Sequence, residues 1–324
     1  RGERETVMAV YTQVSAESLD AFLRRYDDVG DLVSAKGIAE GVENSNYLVD
    51  TTTSRFILTL YEKRVDAGDL PFFLALLDHL AARGLPVPPA LADREGVAIQ
   101  TLEGRPACLI RFLTGISLSR PTPQQAVTAG AALGRMHGAV ADFAGQRPNT
   151  LGVADWRPLL DRCGHDLDGI APGLYGRMDA ALAAVEAAWP RDLATSVIHA
   201  DLFPDNVLML GDQVTGLIDF YFACNDIRAY DVAVMHTSWA FDAVGAPLDG
   251  VGSAVLAGYD AAFGLSAEER TALPVLAKGA CIRFLLTRAW DWLNTPADAL
   301  VTRKDPLAYL RRLDWYDAHP EAFA

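Results

Sequence analysis

The stretch His199-Ala-Asp201-Leu-Phe-Pro-Asp-Asn206 is followed, thirteen residues after its asparagine, by Asp219 within Ile218-Asp219-Phe220. Strand-like runs at 196–198 and 216–218 lead into both pieces. Two loops at strand ends therefore present three oxygen-bearing side chains. Asp201 is the residue to orient an acceptor hydroxyl and take its proton. The amide oxygen of Asn206 and the carboxylate of Asp219 are hard donors of the kind magnesium selects, and the amide adds no negative charge.

The order and spacing match the H-x-D-x-x-x-x-N loop and the later D-F aspartate of protein kinases. Phosphoryl transfer needs in-line positioning and charge neutralisation more than covalent help, so these residue types suit transfer from ATP with Mg2+. Taken singly, each feature is commonplace: an HxD in a loop, an IDF in a strand core, an aspartate capping a turn. Joined in this order they are specific. His199 reads as a structural residue with its ring on nearby backbone, since no second histidine offers a metal pair. Asp231, in Ala229-Tyr-Asp231-Val-Ala, has two readings: an ordinary helix-start acid or a brace for the catalytic loop.

The rest of the chain supplies the frame. It has 324 residues, 51% of them hydrophobic, which allows two lobes with a sizeable core. A net charge of -14 argues against nucleic acid or an anionic membrane as partner. Cys108, Cys163, Cys224 and Cys281 are far apart and form no CxxC, which suits a reducing cytoplasm. No apolar run has transmembrane length. Met8 opens the stretch MAVYTQVS, so residues 1–7 read as an upstream extension.

The first third reads as strands with one helix. Strands are expected at 47–50, 55–61, 97–102 and 107–112, with a polar loop at 41–46. The helix starts after Asp69 as cap, with Pro71 in its first turn, and ends at Gly84. After Gly115 the pattern turns helical, with long stretches at 123–143 and 172–189 and a mostly helical end from Ala229. The fold class is α+β: a small β-rich N-terminal lobe over residues 8–113 and a larger α-rich lobe over 114–324. The loop carrying Asn44, Ser45 and Asn46 would meet the nucleotide phosphates, and Phe112 and Leu113 at the lobe junction would read the adenine edge.

At HADLFPDNVL, LIDF, LGRMH and AYDVA the sequence resembles the aminoglycoside phosphotransferase and choline kinase superfamily, which has the two-lobed protein-kinase-like fold. Its AYDVA segment favours the bracing role for Asp231. GIAEGVENSNYLV, DLPFFLALLDHLAARGLPVP, LIDFYFACNDIRAYDVA and IRFLLTRAWDWLN are similar to the type II homoserine kinase branch. That resemblance covers nearly the whole chain from Met8. It implies transfer of the ATP γ-phosphate to L-homoserine in the cytoplasm, by a monomer or homodimer. The alternative acceptor is another small alcohol such as choline, ethanolamine or an aminoglycoside.

One position departs from the superfamily. Thr59 stands where many of these kinases carry a strand lysine, so Lys63, Arg55 and Lys36 are the candidates for gripping the ATP phosphates. For the acceptor, Arg283 or Arg288 would take a carboxylate and Asp291 an ammonium. Surface ion pairs are the bland reading of the same three residues. Asn225, Asp226 and Arg228 are rival candidates.

Overall fold

The computed structural model describes residues 12–38, 44–62, 66–295 and 303–323. Residues up to Leu113 belong to one compact unit and the described residues from Thr114 onward to a second. The first unit contains α1 (Ala16–Leu23), β1 (Leu32–Ile38), β2 (Asn44–Thr51), β3 (Arg55–Tyr61), α2 (Leu70–Ala82), β4 (Gln100–Leu102) and β5 (Arg105–Arg111). Its strands make one antiparallel sheet in the order β1-β2-β3-β5-β4.

The sequence suggests one helix here, and the described residues have two. Ser15 caps α1 by accepting from the Ser18 amide, and Leu19, Phe22 and Leu23 are its buried side. They join Tyr47, Val49, Phe56, Leu58, Leu60, Ala107 and Leu109 in one core on a single face of the sheet. Each such side chain contributes about 1.5–3 kcal/mol by leaving water. On the other face Ile38, Asn46 and Thr59 stand in one cross-strand row, with Lys36, Leu48 and Ile57 in the next; Thr59 is buried and the rest keep partial or full exposure. Asp69 does not cap α2 through its side chain; Asp66 instead accepts from the Gly68 amide at 2.8 Å one turn earlier. β2 starts at Asn44 rather than at Tyr47, so the three polar residues expected in the loop belong to the strand.

The second unit contains β6 (Ile116–Ser117), α3 (Pro123–Ala139), α4 (Val153–Cys163), α5 (Leu174–Ala188), β7 (Thr195–Ile198), β8 (Val207–Leu210), β9 (Gln213–Leu217), β10 (Cys224–Ile227), α6 (Arg228–Trp239), α7 (Val251–Ala262), α8 (Ala267–Asn294) and α9 (Leu307–Ala318). Two small antiparallel sheets, β10-β7 and β6-β8-β9, carry the loops of interest. Helices α3 and α7 approach at backbone distance. A Cβ at Gly130 would collide with the Val255 carbonyl, and one at Gly258 with the Val127 carbonyl. This contact brings His137, near the end of α3, beside Tyr259 of α7.

Candidate active site

The segment 199–206 leaves β7 and enters β8, and the β8–β9 hairpin returns the chain to Asp219. Val207 pairs with Leu217, and the Ile218 amide donates to the Asn206 carbonyl at 3.0 Å. Antiparallel register therefore sets Asn206 beside Ile218, the residue before Asp219, although the two are far apart in sequence. Asn206 is 8% exposed, and its Nδ2 donates to the Asp201 carbonyl at 2.8 Å and to the Asp201 carboxylate at 3.2 Å. Its amide oxygen is then directed away from Asp201. Asp219 is exposed and sits at φ 64°, a left-handed conformation rare outside glycine.

The loop is held by charges from below. Asp231, in the first turn of α6, is fully buried and accepts from the His199 amide at 2.7 Å and the Ala200 amide at 2.8 Å. It also meets His137 Nε2 at 3.1 Å, and His137 Nδ1 meets the Tyr259 hydroxyl at 2.8 Å. Burial would push the Asp231 carboxyl up, but the hydrogen bonds from His137 and from the His199 amide outweigh it and hold the carboxyl low. Asp231 thus meets two backbone amides and one imidazole nitrogen. Nothing in LGRMH marks His137 for this contact; the packing of α3 against α7 supplies it.

Both ring nitrogens of His199 are engaged with backbone. Its Nδ1 accepts from the Asp201 amide at 3.3 Å, so Nε2 carries the proton and donates to the Ile218 carbonyl at 3.0 Å. Burial pushes its pKa down and keeps the ring neutral. One imidazole thereby ties the Asp201 loop to the residue before Asp219. Trp239 adds a buried Nε1 bond to the Leu202 carbonyl at 3.0 Å.

Between these ties Ala200 adopts φ 63°. Left-handed backbone costs a non-glycine residue about 1–3 kcal/mol and persists only when its surroundings over-determine it. Here Asp231 takes the Ala200 amide, and Arg283 Nη1 donates to the Ala200 carbonyl at 2.6 Å. Arg283 corrects an expectation. It is 2% exposed, lies 4.5 Å from the Phe284 ring centroid, and faces the loop backbone instead of solvent. It supports Asp201 and is not an open carboxylate receptor. Burial raises the Asp201 carboxyl well above the usual carboxylate range, Arg283 pulls it down, and Asp219 and Asp205 add repulsion.

In the first unit, Asn44 Oδ1 accepts from the Glu62 amide at 3.3 Å. Ser45 donates to the Glu62 carboxylate at 2.7 Å, and that carboxylate also accepts from Thr12 at 2.6 Å. Thr59 donates to the Asn46 amide oxygen at 2.8 Å across the strands. Of the three cation candidates, Lys63 lies outside the described residues. Arg55 pairs with Asp50 at 2.6 Å and lies 5.4 Å from the Phe112 ring centroid. Lys36 is exposed and shares its sheet face with Asn46 and Thr59. Phe112 is 38% exposed, and its amide donates to the Arg55 carbonyl.

Of the remaining acceptor candidates, Arg288 stacks on Tyr309 and Asp291 is exposed near the end of α8. The rivals serve the frame of the second unit. Asn225 accepts from the Arg147 amide, Asp226 from Asn149 Nδ2, and Arg228 pairs with buried Glu269 at 2.7 Å. Among the described residues no cluster of three or more His, Cys, Asp or Glu side chains forms a metal cage. One carboxylate and one amide is the sparse donor set of an ion that keeps phosphate and water ligands.

A loop with an acidic candidate base, an asparagine and a hairpin aspartate, in a sheet unit followed by a helical unit, defines a kinase-like phosphotransferase. The chain belongs to the phosphotransferase enzyme family, whose model matches residues 34–265. It is 52% identical to homoserine kinase of Xanthobacter autotrophicus over 96% of this chain and 97% of that one. It is 54% identical to homoserine kinase of Azorhizobium caulinodans with the same coverage. Among solved structures it resembles a spectinomycin phosphotransferase in complex with ADP and spectinomycin. The TM-score is 0.71 and the identity 14%, covering 96% of this chain and 100% of that one. Choline kinase of Cryptosporidium parvum gives a TM-score of 0.68 at 13% identity, covering 95% and 96%. These two share the fold.

Proposed function

We propose that this chain transfers the γ-phosphoryl group of ATP to the side-chain hydroxyl of L-homoserine, giving O-phospho-L-homoserine and ADP. Identity above half with homoserine kinases, over nearly the full length of both chains, carries the reading. The Asp201, Asn206 and Asp219 set fits the same chemistry.

Asp201 orients the acceptor oxygen and accepts its proton as the new P–O bond forms and the bond to the β-phosphate oxygen breaks. Asn206 and Asp219 would hold Mg2+, which when bound supplies neutralisation of the phosphate charge. Asp201 is kept in place because His199, Asp231 and Arg283 fix the backbone leading into it and Asn206 bonds its carbonyl. On the nucleotide side we assign Asn46, Thr59 and Lys36 to the phosphates, with Asn44 and Ser45 holding the strand that presents them. The backbone at Phe112 and Leu113 is assigned to the adenine. Four buried, unpaired cysteines suit a reducing cytoplasm as the place of the reaction. No helix among the described residues is long and apolar enough to cross a membrane.

The test is ADP release with homoserine, choline, kanamycin and serine as acceptors. Selective turnover of homoserine is expected; preference for choline or kanamycin would reject the assignment.

A further inference from the structure

We infer that Lys304, backed by Arg288, forms the subsite that receives the carboxylate of the amino-acid acceptor, an assignment that rests on the function proposed above. Arg283 is excluded because its guanidinium is buried against Ala200 and Phe284. Arg288 lies 4.6 Å from the Tyr309 ring centroid and donates to the Asp305 carbonyl at 3.3 Å. That bond ties α8 to the segment leading into α9. The Asp305 carboxylate accepts from the Leu307 amide and from Arg311, both at 2.8 Å. On the other side Arg303 donates to the Thr295 carbonyl and lies 5.6 Å from the Trp292 ring centroid. Lys304 is thus held between two anchored residues.

Its side chain is 63% exposed, and its ammonium lies 3.7 Å from the Asp205 carboxylate, which is itself 58% exposed. So loose and wet a pair contributes little, and Lys304 can exchange Asp205 for an incoming carboxylate at small cost. Asp205 lies within the same loop as Asp201, and the charges of both Lys304 and Arg288 are felt at Asp201. Two cations beside the loop thus offset part of the negative charge that Asp205 and Asp219 place around Asp201. In homoserine only four bonds separate the hydroxyl oxygen from the carboxyl carbon. An acceptor whose hydroxyl meets Asp201 carries its carboxylate into the space that a flexible lysine sweeps.

The experiment compares wild type with Lys304→Ala on L-homoserine and on 3-amino-1-propanol, the same amino alcohol without the carboxylate. For Lys304→Ala, kcat/KM on homoserine is expected to fall about 10- to 100-fold, mostly through KM, as loss of one charge-assisted bond requires. Turnover of 3-amino-1-propanol and KM for ATP should stay within about twofold, the range of a neutral surface change. Lys304→Arg should recover most of the homoserine loss. Equal losses on both acceptors, a raised KM for ATP, or no loss on either would overturn the subsite. A wild-type enzyme that ignores homoserine and phosphorylates choline would overturn the proposed function and the subsite together. Failure confined to the Lys304 variants speaks to the subsite alone.

Discussion

The loop at 199–206 and the polar start of β2 are both proposed to handle the reactants, yet they are built by different means. In the second unit, backbone is fixed by buried charge: Asp231 takes two amides, Arg283 takes a carbonyl, and neutral His199 bridges to Ile218. In the first unit, Asn44, Ser45, Asn46 and Thr59 are fixed by ladder register, and their side chains bond to neighbours on the same sheet. Buried charge without a partner is expensive, whereas a lost neutral hydrogen bond costs about 1 kcal/mol. Substitutions below the catalytic loop should therefore act far more sharply than substitutions in β2.

The largest effect is expected at the acceptor itself. Asp201→Asn should lower kcat by about 10²–10⁴-fold, read from steady-state ADP release, because a positioned base is removed. Near-normal turnover would reject Asp201 as the base. Next comes the brace: Asp231→Ala leaves the His199 and Ala200 amides unpaired and should cost about 3–5 kcal/mol of stability, measured by urea unfolding. A loss of under about 1 kcal/mol would mean that Ala200 needs no clamp to stay left-handed. Arg283→Met should lower kcat by roughly 10²-fold with little change in either KM, since it displaces Asp201 without touching a ligand. An effect confined to KM for homoserine would return Arg283 to substrate binding.

Acid should separate the units as well. Burial lowers the pKa of His199, and it lowers that of His236 to about 3. Both folded values lie below the unfolded one, so the unfolded chain binds more protons as the pH falls below about 6.5. Stability is full above that pH and declines beneath it, by roughly 1 kcal/mol for the first pH unit at His236, whose folded value lies far below that window. Calorimetry at neutral and mildly acidic pH should show the second unit losing stability first, and His236→Gln should flatten the dependence. The smallest effect on turnover is expected in β2: Ser45→Ala removes a bond to the Glu62 carboxylate and should cost about 1.5–3 kcal/mol of stability while leaving kcat unchanged. A collapse of turnover in that variant would erase the contrast between the two regions.

Much of the site was legible because its chemistry is written locally. The spacing from His199 to Asn206 needs only a loop and a hairpin to converge with Asp219, and Asn206 meets Ile218 through one pair of register. The strand at 55–61 was readable from its apolar run, and α1 was missed although Ser15 caps it. Arg283 was misread for a physical reason: an arginine on a mostly apolar helix looks like a ligand receptor until the residues packed against it are known. His137 and Lys304 were out of reach because their partners lie 94 and 99 residues away, Asp231 and Asp205.

Residue order alone determined which atoms are proposed to do the chemistry: two carboxylates and an amide, carried by one loop and the hairpin that follows it. Only the tertiary structure decided which charges stand behind those atoms. Helices α3, α6 and α8 each bury one ionised or ionisable group against a single left-handed residue, Ala200, or its brace. Spacing along a chain specifies what adjacent strands share. Long-range packing specifies the dielectric and the counter-charge, and those set whether a carboxylate is a base, a brace or an ordinary surface acid.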